Sequence, residues 1–287
     1  MTRLQTDDIA NIADQLEAYD GELVAKTGHS LRQIACHAVQ LAEPESLKII
    51  SGIRVAVVPI QWGQGIIKGF CEAAERILRF IGFETFITAH TDLSGLSEAC
   101  ETMADVIFLS DDHDFLALNL LTRRHIHNAR ATGEGFAAGL DLMTGGVAGQ
   151  KVLVLGCGAV GRSATSALIK YGAKVSIYDI HQRYCRELAD SITGSDPERI
   201  TIEQEMTEAL SGHSLIVDAT NAPAIIHTRD ISPQTYIAAP GMPLGLSTGA
   251  LNKVSDRLLH DPLQIGVATM GMAVAKQISQ IVENKNS

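Results

Sequence analysis

The sequence predicts an α/β protein in two parts. An N-terminal helical segment and a small α/β substrate domain come first, followed by a C-terminal Rossmann domain with a doubly wound parallel sheet. Three observations lead to this prediction. Short apolar strands alternate with amphipathic helices along most of the chain. A glycine-rich turn directly follows the apolar strand at 152–156. The 287 residues suffice for two domains of ordinary size.

Composition narrows the class of protein. Hydrophobic residues make up 46% of the chain and charged residues 20%, so a substantial core is expected. The net charge of −10 disfavours binding to nucleic acid, whose phosphates would be repelled. No apolar run is long enough to span a membrane, and the polar N-terminus MTRLQTDDIAN is unlike a signal peptide. Five cysteines without a CxxC pair favour reduced thiols. We expect a cytoplasmic protein with neither nucleic-acid nor membrane partners; the oligomeric state stays open, a homodimer included.

The elements of the N-terminal part follow from hydrophobic periodicity. A helix is predicted over 6–19, and a capping box of Ser30 and Gln33 predicts the start of a second helix. Strands are expected at 54–60, 83–88 and 105–110, with helices at 66–81 and 94–101 between them. A long helical stretch is predicted at 114–145, with a break near Thr132 and Gly133. The domain boundary is placed near residue 130, which gives units 1–130 and 131–287.

The second α/β run begins after Gly145 and Gly146. Strands are expected at 152–156, 175–179, 215–220 and 236–240, and a final helix at about 267–283. The first strand ends in a GxGxxG turn that opens a helix, which is the arrangement that binds the pyrophosphate of a dinucleotide. The turn consists of Gly156, Cys157, Gly158, Ala159, Val160 and Gly161. Gly158 leaves room for the pyrophosphate, and Cys157 is interpreted as a small tolerated side chain rather than a nucleophile.

Asp179 ends the second strand of this run. A carboxylate at that position can bind the hydroxyls of the adenosine ribose and repels a 2′-phosphate, so NAD is the expected cofactor. Two further strand ends and the start of the last helix belong to the same expected site, because ligands bind at the carboxyl ends of parallel strands. The residues there are Ala219, Thr220, Asn221, Pro240, Gly241 and Gly266. For Thr220 and Asn221 a simple turn is an equally good interpretation.

The N-terminal part contributes candidates for the substrate site. One strand is followed by Gln61, Trp62, Gly63, Gln64 and Gly65, and another by Ser110, Asp111, Asp112 and His113. Adjacent carboxylates can hold an ammonium group, and one of them can take a proton. The alternative is that Asp112 or Asp114 caps a helix starting near Phe115. The scattered histidines, including His125 and His127, form no metal constellation.

Segments over nearly the whole chain resemble the PylD family of pyrrolysine biosynthesis proteins. They run from Leu4 to about Met270 and include VVPIQWGQGII (57–67), GFETFITAHTDLSG (82–95), SDDHDFLALN (110–119), VLVLGCGAVG (152–161), IYDI (177–180) and APGMP (239–243). The resemblance implies oxidation of the terminal amine-bearing carbon of 3-methyl-D-ornithyl-N6-L-lysine, with the hydride going to NAD. Hydrolysis of the resulting imine by water would release ammonia and leave an aldehyde, which would condense with the ornithyl α-amine, with loss of water, to give L-pyrrolysine.

The resemblance also assigns residues. The family's substrate contacts fall on Leu4, on the loop from Gln61 to Gly65 and on Asp111, our candidate for gripping the reacting amine. The family loop typically reads TSGNG, whereas this chain has QWGQG, so Trp62 replaces a small hydroxyl residue. Trp62 is the only tryptophan. It is expected either to form a wall against the substrate by packing and cation–π attraction or to fill the crevice between the domains.

Two other functions compete with this one. The first is an oxidoreductase like shikimate dehydrogenase or methylene-tetrahydrofolate dehydrogenase, because Thr132-Gly133-Glu134-Gly135-Phe136 resembles the TDG-x-G-F segment of the former. Asp179 opposes that alternative, since the NADP-using family has a basic residue there. The second is a non-enzymatic NAD sensor, which would bind NAD without reducing it.

Overall fold

The computed structural model describes residues 4–192 and 200–286. Within these residues the strands form two sheets, one of five strands and one of six, and helices cover both. This architecture confirms the predicted fold class of a helical N-terminal segment, a small α/β unit and a Rossmann unit. In the same part of the chain, no helix is both long and apolar enough to cross a membrane.

The chain begins with a group of helices. They are α1 (Thr6–Ile9), α2 (Ile12–Thr27), α3 (Leu31–Val39) and α4 (Glu43–Ile50). The helix predicted over 6–19 is therefore interrupted after Ile9 and extends further, to Thr27, where Gly28 ends it with a left-handed φ of 75°. The capping box that opens α3 is confirmed, because the Ser30 side chain accepts from the Gln33 N–H and the Gln33 side chain binds the Ser30 N–H.

The first sheet is mixed. Its elements are β1 (Arg54–Val58), α5 (Phe70–Phe80), β2 (Glu84–Ile87), α6 (Asp92–Glu101), β3 (Val106–Ser110), β4 (Phe115–Asn119) and β5 (Arg124–His127). The strand order is β2-β1-β3-β4-β5. Strands β1, β2 and β3 are parallel, while β4 is antiparallel to both of its neighbours. The carboxyl ends of β1, β3 and β5 therefore lie at the same edge.

The helix predicted over 114–145 is wrong in its first part. Residues 115–119 and 124–127 form β4 and β5, and helix α7 runs only from Asn128 to Met143. Leucine and alanine in FLALN suit a helix by propensity, but burial alternates along this segment with the period of a strand. The predicted break near Thr132 and Gly133 is also absent, since α7 is continuous there. Gly133 instead permits close packing: a Cβ on it would lie 2.4 Å from the Val160 carbonyl oxygen of the next helix.

The second sheet is parallel throughout. It contains β6 (Lys151–Leu155), β7 (Lys174–Tyr178), β8 (Ile200–Ile202), β9 (Leu215–Asp218), β10 (Tyr236–Ala238) and β11 (Leu258–Leu259). The helices are α8 (Ala159–Lys170), α9 (Gln182–Ile192), α10 (Met206–Gly212), α11 (Thr248–Val254) and α12 (Gln264–Asn286). In the order β8-β7-β6-β9-β10-β11 the strands follow the 3-2-1-4-5-6 sequence of a Rossmann sheet.

One continuous core joins the two halves. Helix α7 packs against α8, α12 and α3, and α12 packs against α3, α4 and α5 of the N-terminal part. Near the start of α12 the buried Asp261 carboxylate accepts a hydrogen bond from the Tyr19 hydroxyl at 2.6 Å. Lys26, also on α2, donates to the Leu258 carbonyl at 2.8 Å. The first long helix is thereby attached to the Rossmann half.

Candidate active site

Helix α7 connects the carboxyl edge of the first sheet to that of the second. This helix starts directly after β5, and its second turn packs on the first turn of α8, where Gly133 meets Val160. At 1.5 Å rise per residue, Asn128 and Gly133 are separated by only about 8 Å along the helix axis. The carboxyl end of β5 therefore lies close to the glycine-rich turn after β6.

The three glycines after β6 have different physical roles. Gly156 has a left-handed φ of 88°, and a Cβ there would lie 2.9 Å from the Ala219 carbonyl oxygen. A Cβ on Gly161 would lie 1.8 Å from the Gly156 carbonyl oxygen, so this glycine is required by the packing of helix on strand. Gly158 is exposed and no described atom lies within 4 Å of its ideal Cβ. Only at Gly158 is the space beside the backbone open, which is the fit expected for a pyrophosphate.

Helix α8 presents its N-terminus at this open position. Gly158 is the N-cap residue and has no side chain that could accept the first N–H groups. Ala159 next to it is exposed. Unsatisfied N–H groups and the positive end of the helix dipole make such a terminus a binding site for phosphate.

Asp179 binds the glycine-rich loop, a contact that the sequence does not indicate. Its Oδ2 accepts a hydrogen bond from the Cys157 N–H and its Oδ1 accepts one from the His181 N–H, each at 2.9 Å. The carboxylate therefore fixes the glycine-rich loop as well as carrying the charge that a ribose would meet. Sequence spacing predicts the second role, but the link to Cys157 is visible only in the structure.

Cys157 is unsuited to nucleophilic chemistry. The thiol is buried, and its Sγ lies 3.6 Å from the Sγ of Cys185 on α9. Burial raises the pKa of the Cys157 thiol, and the neighbouring Cys185 raises it further. A thiol held protonated does not attack, in agreement with the interpretation of Cys157 as a small side chain.

The ends of β9 and β10 touch one another at the same edge. A Cβ on Gly241 would lie 2.0 Å from the Thr220 carbonyl oxygen. Below them the fully buried Asp218 accepts hydrogen bonds from the Thr220 N–H at 3.1 Å and the Thr220 hydroxyl at 2.7 Å. Burial raises the pKa of the Asp218 carboxyl, while the hydrogen bonds from Thr220 lower it. Asp218 shapes the turn formed by Ala219, Thr220 and Asn221, and sequence reasoning missed it because it reads as part of a strand.

Gly266 lies where α12 meets the start of α7. A Cβ on Gly266 would lie 2.6 Å from the Thr132 hydroxyl oxygen and 2.9 Å from the Asn128 side-chain oxygen. Pro240 is half-buried beside Gly241. The candidate cofactor residues that follow β6, β7, β9 and β10 therefore lie at the carboxyl edge of the second sheet. Gly266 lies next to α7, the helix that follows β5 of the first sheet.

The loop from Gln61 to Gly65 follows β1 at the carboxyl edge of the first sheet. The Gln61 N–H donates to Asp92 Oδ1 and the Gln64 N–H donates to Asp112 Oδ2, both at 2.8 Å. Gly63 and Gly65 have left-handed φ values of 75° and 78°. Trp62 is 76% exposed, so the alternative in which the indole fills a crevice of the folded chain is not supported.

Asp111 and its neighbours form the turn between β3 and β4. Asp111 Oδ1 accepts hydrogen bonds from the N–H groups of His113 and Asp114, both at 2.8 Å. These bonds, the one from Asp114 first, lower the pKa of the Asp111 carboxyl. The alternative in which Asp112 or Asp114 caps a helix is wrong, because Phe115 starts a strand, and Asp111 supports a hairpin turn instead. Asp114 approaches His127 at the end of β5, with 3.5 Å between Oδ1 and Nδ1.

Leu4 lies at the start of the described chain. It is half-buried and packs against the main core, just before α1, which contacts α5. Helix α5 is the element that follows the loop of Gln61 to Gly65. In the described residues, no group of three or more His, Cys, Asp and Glu side chains is arranged to hold a metal ion.

Solved structures of other proteins share this fold. Quinate dehydrogenase from Corynebacterium glutamicum, in complex with NAD, superposes with a TM-score of 0.51 at 12% identity, covering 80% of this chain and 99% of that one. Shikimate dehydrogenase from Aquifex aeolicus also gives a TM-score of 0.51, at 17% identity over 79% of this chain and 97% of that one. At these identities the likeness shows the fold alone: two α/β units, the second with a Rossmann sheet.

Sequence relatives define the family. The model of the N-terminal domain of pyrrolysine biosynthesis protein PylD matches residues 8–126, and that of the C-terminal domain of alanine dehydrogenase/PNT matches residues 125–231. Pyrrolysine synthase from Methanosarcina barkeri is 30% identical, over 94% of this chain and 97% of that protein. Pyrrolysine synthase from Methanosarcina acetivorans is 30% identical, over 94% and 98%. The chain belongs to the PylD family of pyrrolysine biosynthesis proteins and is an oxidoreductase.

Proposed function

We propose that the protein is the NAD-dependent dehydrogenase of the last step of pyrrolysine biosynthesis. It would act on 3-methyl-D-ornithyl-N6-L-lysine at the terminal amine-bearing carbon, with loss of ammonia and closure of the pyrroline ring. The observation that carries the proposal is the 30% identity to two pyrrolysine synthases over 94% of the chain. Two candidate half-sites, each at the carboxyl edge of one sheet, support it.

The residues of the Rossmann half fit a dinucleotide. The open position at Gly158 and the N-terminus of α8 suit the pyrophosphate. The Asp179 carboxylate at the end of β7 suits the two hydroxyls of an unphosphorylated ribose, and its charge opposes a 2′-phosphate. NAD is therefore proposed over NADP, and when bound it supplies the hydride acceptor for oxidation of the amine-bearing carbon.

The N-terminal edge fits a cationic substrate. Asp111, Asp112 and Asp114 are exposed in one turn, and Asp92 lies against the neighbouring loop. The lowered pKa of Asp111 keeps its carboxylate charged at neutral pH, which suits it to hold an ammonium group more than to accept a proton from one. Both of its described side-chain hydrogen bonds go to Oδ1, so Oδ2 can accept from an ammonium N–H.

The loop would complete the substrate site. The exposed Trp62 indole can pack against the aliphatic part of the substrate or lie over one of its ammonium groups. The exposed amides of Gln61 and Gln64 can bind polar groups along the substrate. Leu4 would contribute an apolar contact from the N-terminal side. We also propose the division into units 1–130 and 131–287, with the boundary in the first turns of α7.

The direct test is turnover by the purified protein. Incubated with NAD and 3-methyl-D-ornithyl-N6-L-lysine, it should generate NADH absorbance and a product with the mass of pyrrolysine. Parallel reactions with shikimate and NADP test the shikimate-dehydrogenase-like alternative, which predicts formation of NADPH. Binding of NAD in calorimetry without reduction in the presence of the substrate would identify an NAD sensor and overturn the proposal.

A further inference from the structure

The loop of Gln61 to Gly65 is held from two sides by carboxylates that are distant in sequence. Asp92 lies at the start of α6 and has a left-handed φ of 55°, a conformation that aspartate tolerates better than most residues. Its N–H donates to the Pro59 carbonyl at 3.0 Å, and its Oδ1 accepts from the Gln61 N–H. Asp92 thus binds the chain on entry to the loop.

Asp112 holds the middle of the same loop. Its Oδ2 accepts the Gln64 N–H at 2.8 Å, and an ideal Cβ on Gly63 would lie only 2.0 Å from that same oxygen. The carboxylate therefore occupies the volume that any side chain at position 63 would need. The two residues form a matched pair, since Gly63 makes room for Asp112 and Asp112 satisfies the backbone that Gly63 bends.

The adjacent carboxylates Asp111 and Asp112 have different partners. Asp111 Oδ1 binds the backbone of its own turn, at His113 and Asp114. Asp112 instead reaches across to the loop after β1. A carboxylate that accepts a backbone N–H forms a stronger hydrogen bond than a neutral acceptor does, so the charge of Asp112 contributes to holding the loop.

We propose that Asp112 is a positioning residue: it fixes the loop of Gln61 to Gly65, and through the loop it sets the orientation of the Trp62 indole. Asp92 secures the entry to the loop. The part of this inference that concerns substrate affinity rests on the proposed function, whereas the part that concerns loop order does not. In this proposal Asp112 positions the loop, and the neighbouring Asp111 contacts the substrate.

Trp62 makes the proposal testable without labelling, because it is the only tryptophan of the chain. Time-resolved fluorescence anisotropy reports the nanosecond motion of its indole in the protein without added ligand. In Asp112→Ala we expect the amplitude of the fast component to rise at least about twofold, since a loop without its anchor moves on this timescale. Gly63→Ala should have a similar effect, because its Cβ displaces the carboxylate.

Matched variants separate this role from general destabilisation. Asp111→Asn retains a side-chain acceptor for the turn and should leave the anisotropy of Trp62 unchanged, while Asp112→Asn should restore part of the order lost in Asp112→Ala. Thermal unfolding followed by circular dichroism establishes that each variant is folded. Wild-type anisotropy in a folded Asp112→Ala protein would overturn the proposal, and so would an equal increase in Asp111→Asn.

Steady-state kinetics extend the test to the substrate. For Asp112→Asn we expect KM for 3-methyl-D-ornithyl-N6-L-lysine to rise about tenfold with kcat nearly retained, because a disordered wall weakens binding of ground state and transition state alike. A fall in kcat at unchanged KM would place Asp112 at the reacting atoms and overturn the positioning role. If wild-type protein does not turn this substrate over, the proposed function fails while the anisotropy result still decides the role of Asp112.

Discussion

Two glycine-containing loops of this protein follow comparable strands and are stabilised in different ways. The loop of Gly156 to Gly161 follows β6, and the loop of Gln61 to Gly65 follows β1. In the first, Gly156 and Gly161 are required by packing against nearby backbone, and an open space remains at Gly158. In the second, the backbone is held by Asp92 and Asp112 and its tryptophan is exposed.

The conformations of the two loops therefore depend on different kinds of contact. The Rossmann loop is specified mainly by steric requirements between residues that are close in the chain or on an adjacent strand, and one carboxylate, Asp179, binds its Cys157 N–H. The other loop depends on carboxylates from two separate elements of the sheet. Because its backbone is held by residues outside it, the exposed side chains of such a loop are not needed to keep its shape.

The largest effect is expected from Gly158→Val. The ideal Cβ meets no described protein atom and φ is −70°, so the chain should fold normally. The side chain would occupy the space needed by the pyrophosphate, and we expect NAD affinity in calorimetry to fall by at least about 10²-fold. As a control, Gly161→Ala should lower the melting temperature, because its Cβ meets the Gly156 carbonyl oxygen. Undiminished NAD binding by Gly158→Val would mean that this loop is only a packing turn.

The next largest effect is expected from Asp111→Asn. The substitution removes the charge proposed to hold the substrate ammonium while it retains a side-chain acceptor for the turn. Turnover should fall by about 10²-fold, the cost of a reacting group that is no longer held in place. Near-normal turnover in Asp111→Asn, together with loss of turnover in Asp112→Asn, would show that the roles of the two carboxylates are reversed.

The pH dependence of kcat/KM tests whether Asp111 accepts a proton. Its folded-state pKa is lowered, so its charge and the stability it gives to the turn are present above the unfolded pKa and are lost as the pH falls through the lower folded value. Between about pH 6 and about pH 9, far above ordinary carboxylate pKa values, a decline of kcat/KM toward acid should therefore come from protonation of the substrate amine. Asp111→Asn should retain that decline. Its disappearance in the variant would make Asp111 the proton acceptor.

A smaller effect is expected from Trp62→Ala. The indole is proposed as a wall of the substrate site, so its loss should raise KM about tenfold and leave kcat nearly unchanged. Trp62→Phe keeps an aromatic face, so its KM should lie between those of the wild type and Trp62→Ala. Substrate binding to the wild type should also shift Trp62 emission to the blue as the indole leaves water. An unchanged KM in Trp62→Ala, together with unchanged Trp62 emission on substrate binding, would exclude Trp62 from the substrate site.

The smallest effect on catalysis is expected from Asp179→Ser. Without the carboxylate, the preference for NAD over NADP should shrink about tenfold in kcat/KM. The melting temperature should fall as well, because Asp179 accepts the N–H groups of Cys157 and His181. Asp179→Asn, which keeps one acceptor oxygen without the charge, should lose the preference with a smaller loss of stability. Equal use of the two cofactors by the wild type would contradict the assignment.

The sequence by itself determined the parts of the protein that depend on local pattern. The GxGxxG turn after an apolar strand, the acid at the end of β7 and the capping box at Ser30 depend on residues close in sequence, so their spacing suffices to predict the Rossmann half and the start of α3. Family segments distributed over the chain predicted the nature of the N-terminal part, which the match over residues 8–126 confirms, while its candidate substrate residues stay predictions.

Tertiary structure decided what local pattern left ambiguous. Phe115–Asn119 reads as helical by composition, but pairing with β3 and β5 makes it a strand, because the gain from cross-strand packing exceeds a small difference in propensity. Adjacent Asp111 and Asp112 are equivalent in sequence, and only the folded chain brings Asp112 to Gln64 while Asp111 turns to its own hairpin. Contacts between distant residues depend on how strands and helices assemble, and one sequence carries no local signal of that assembly.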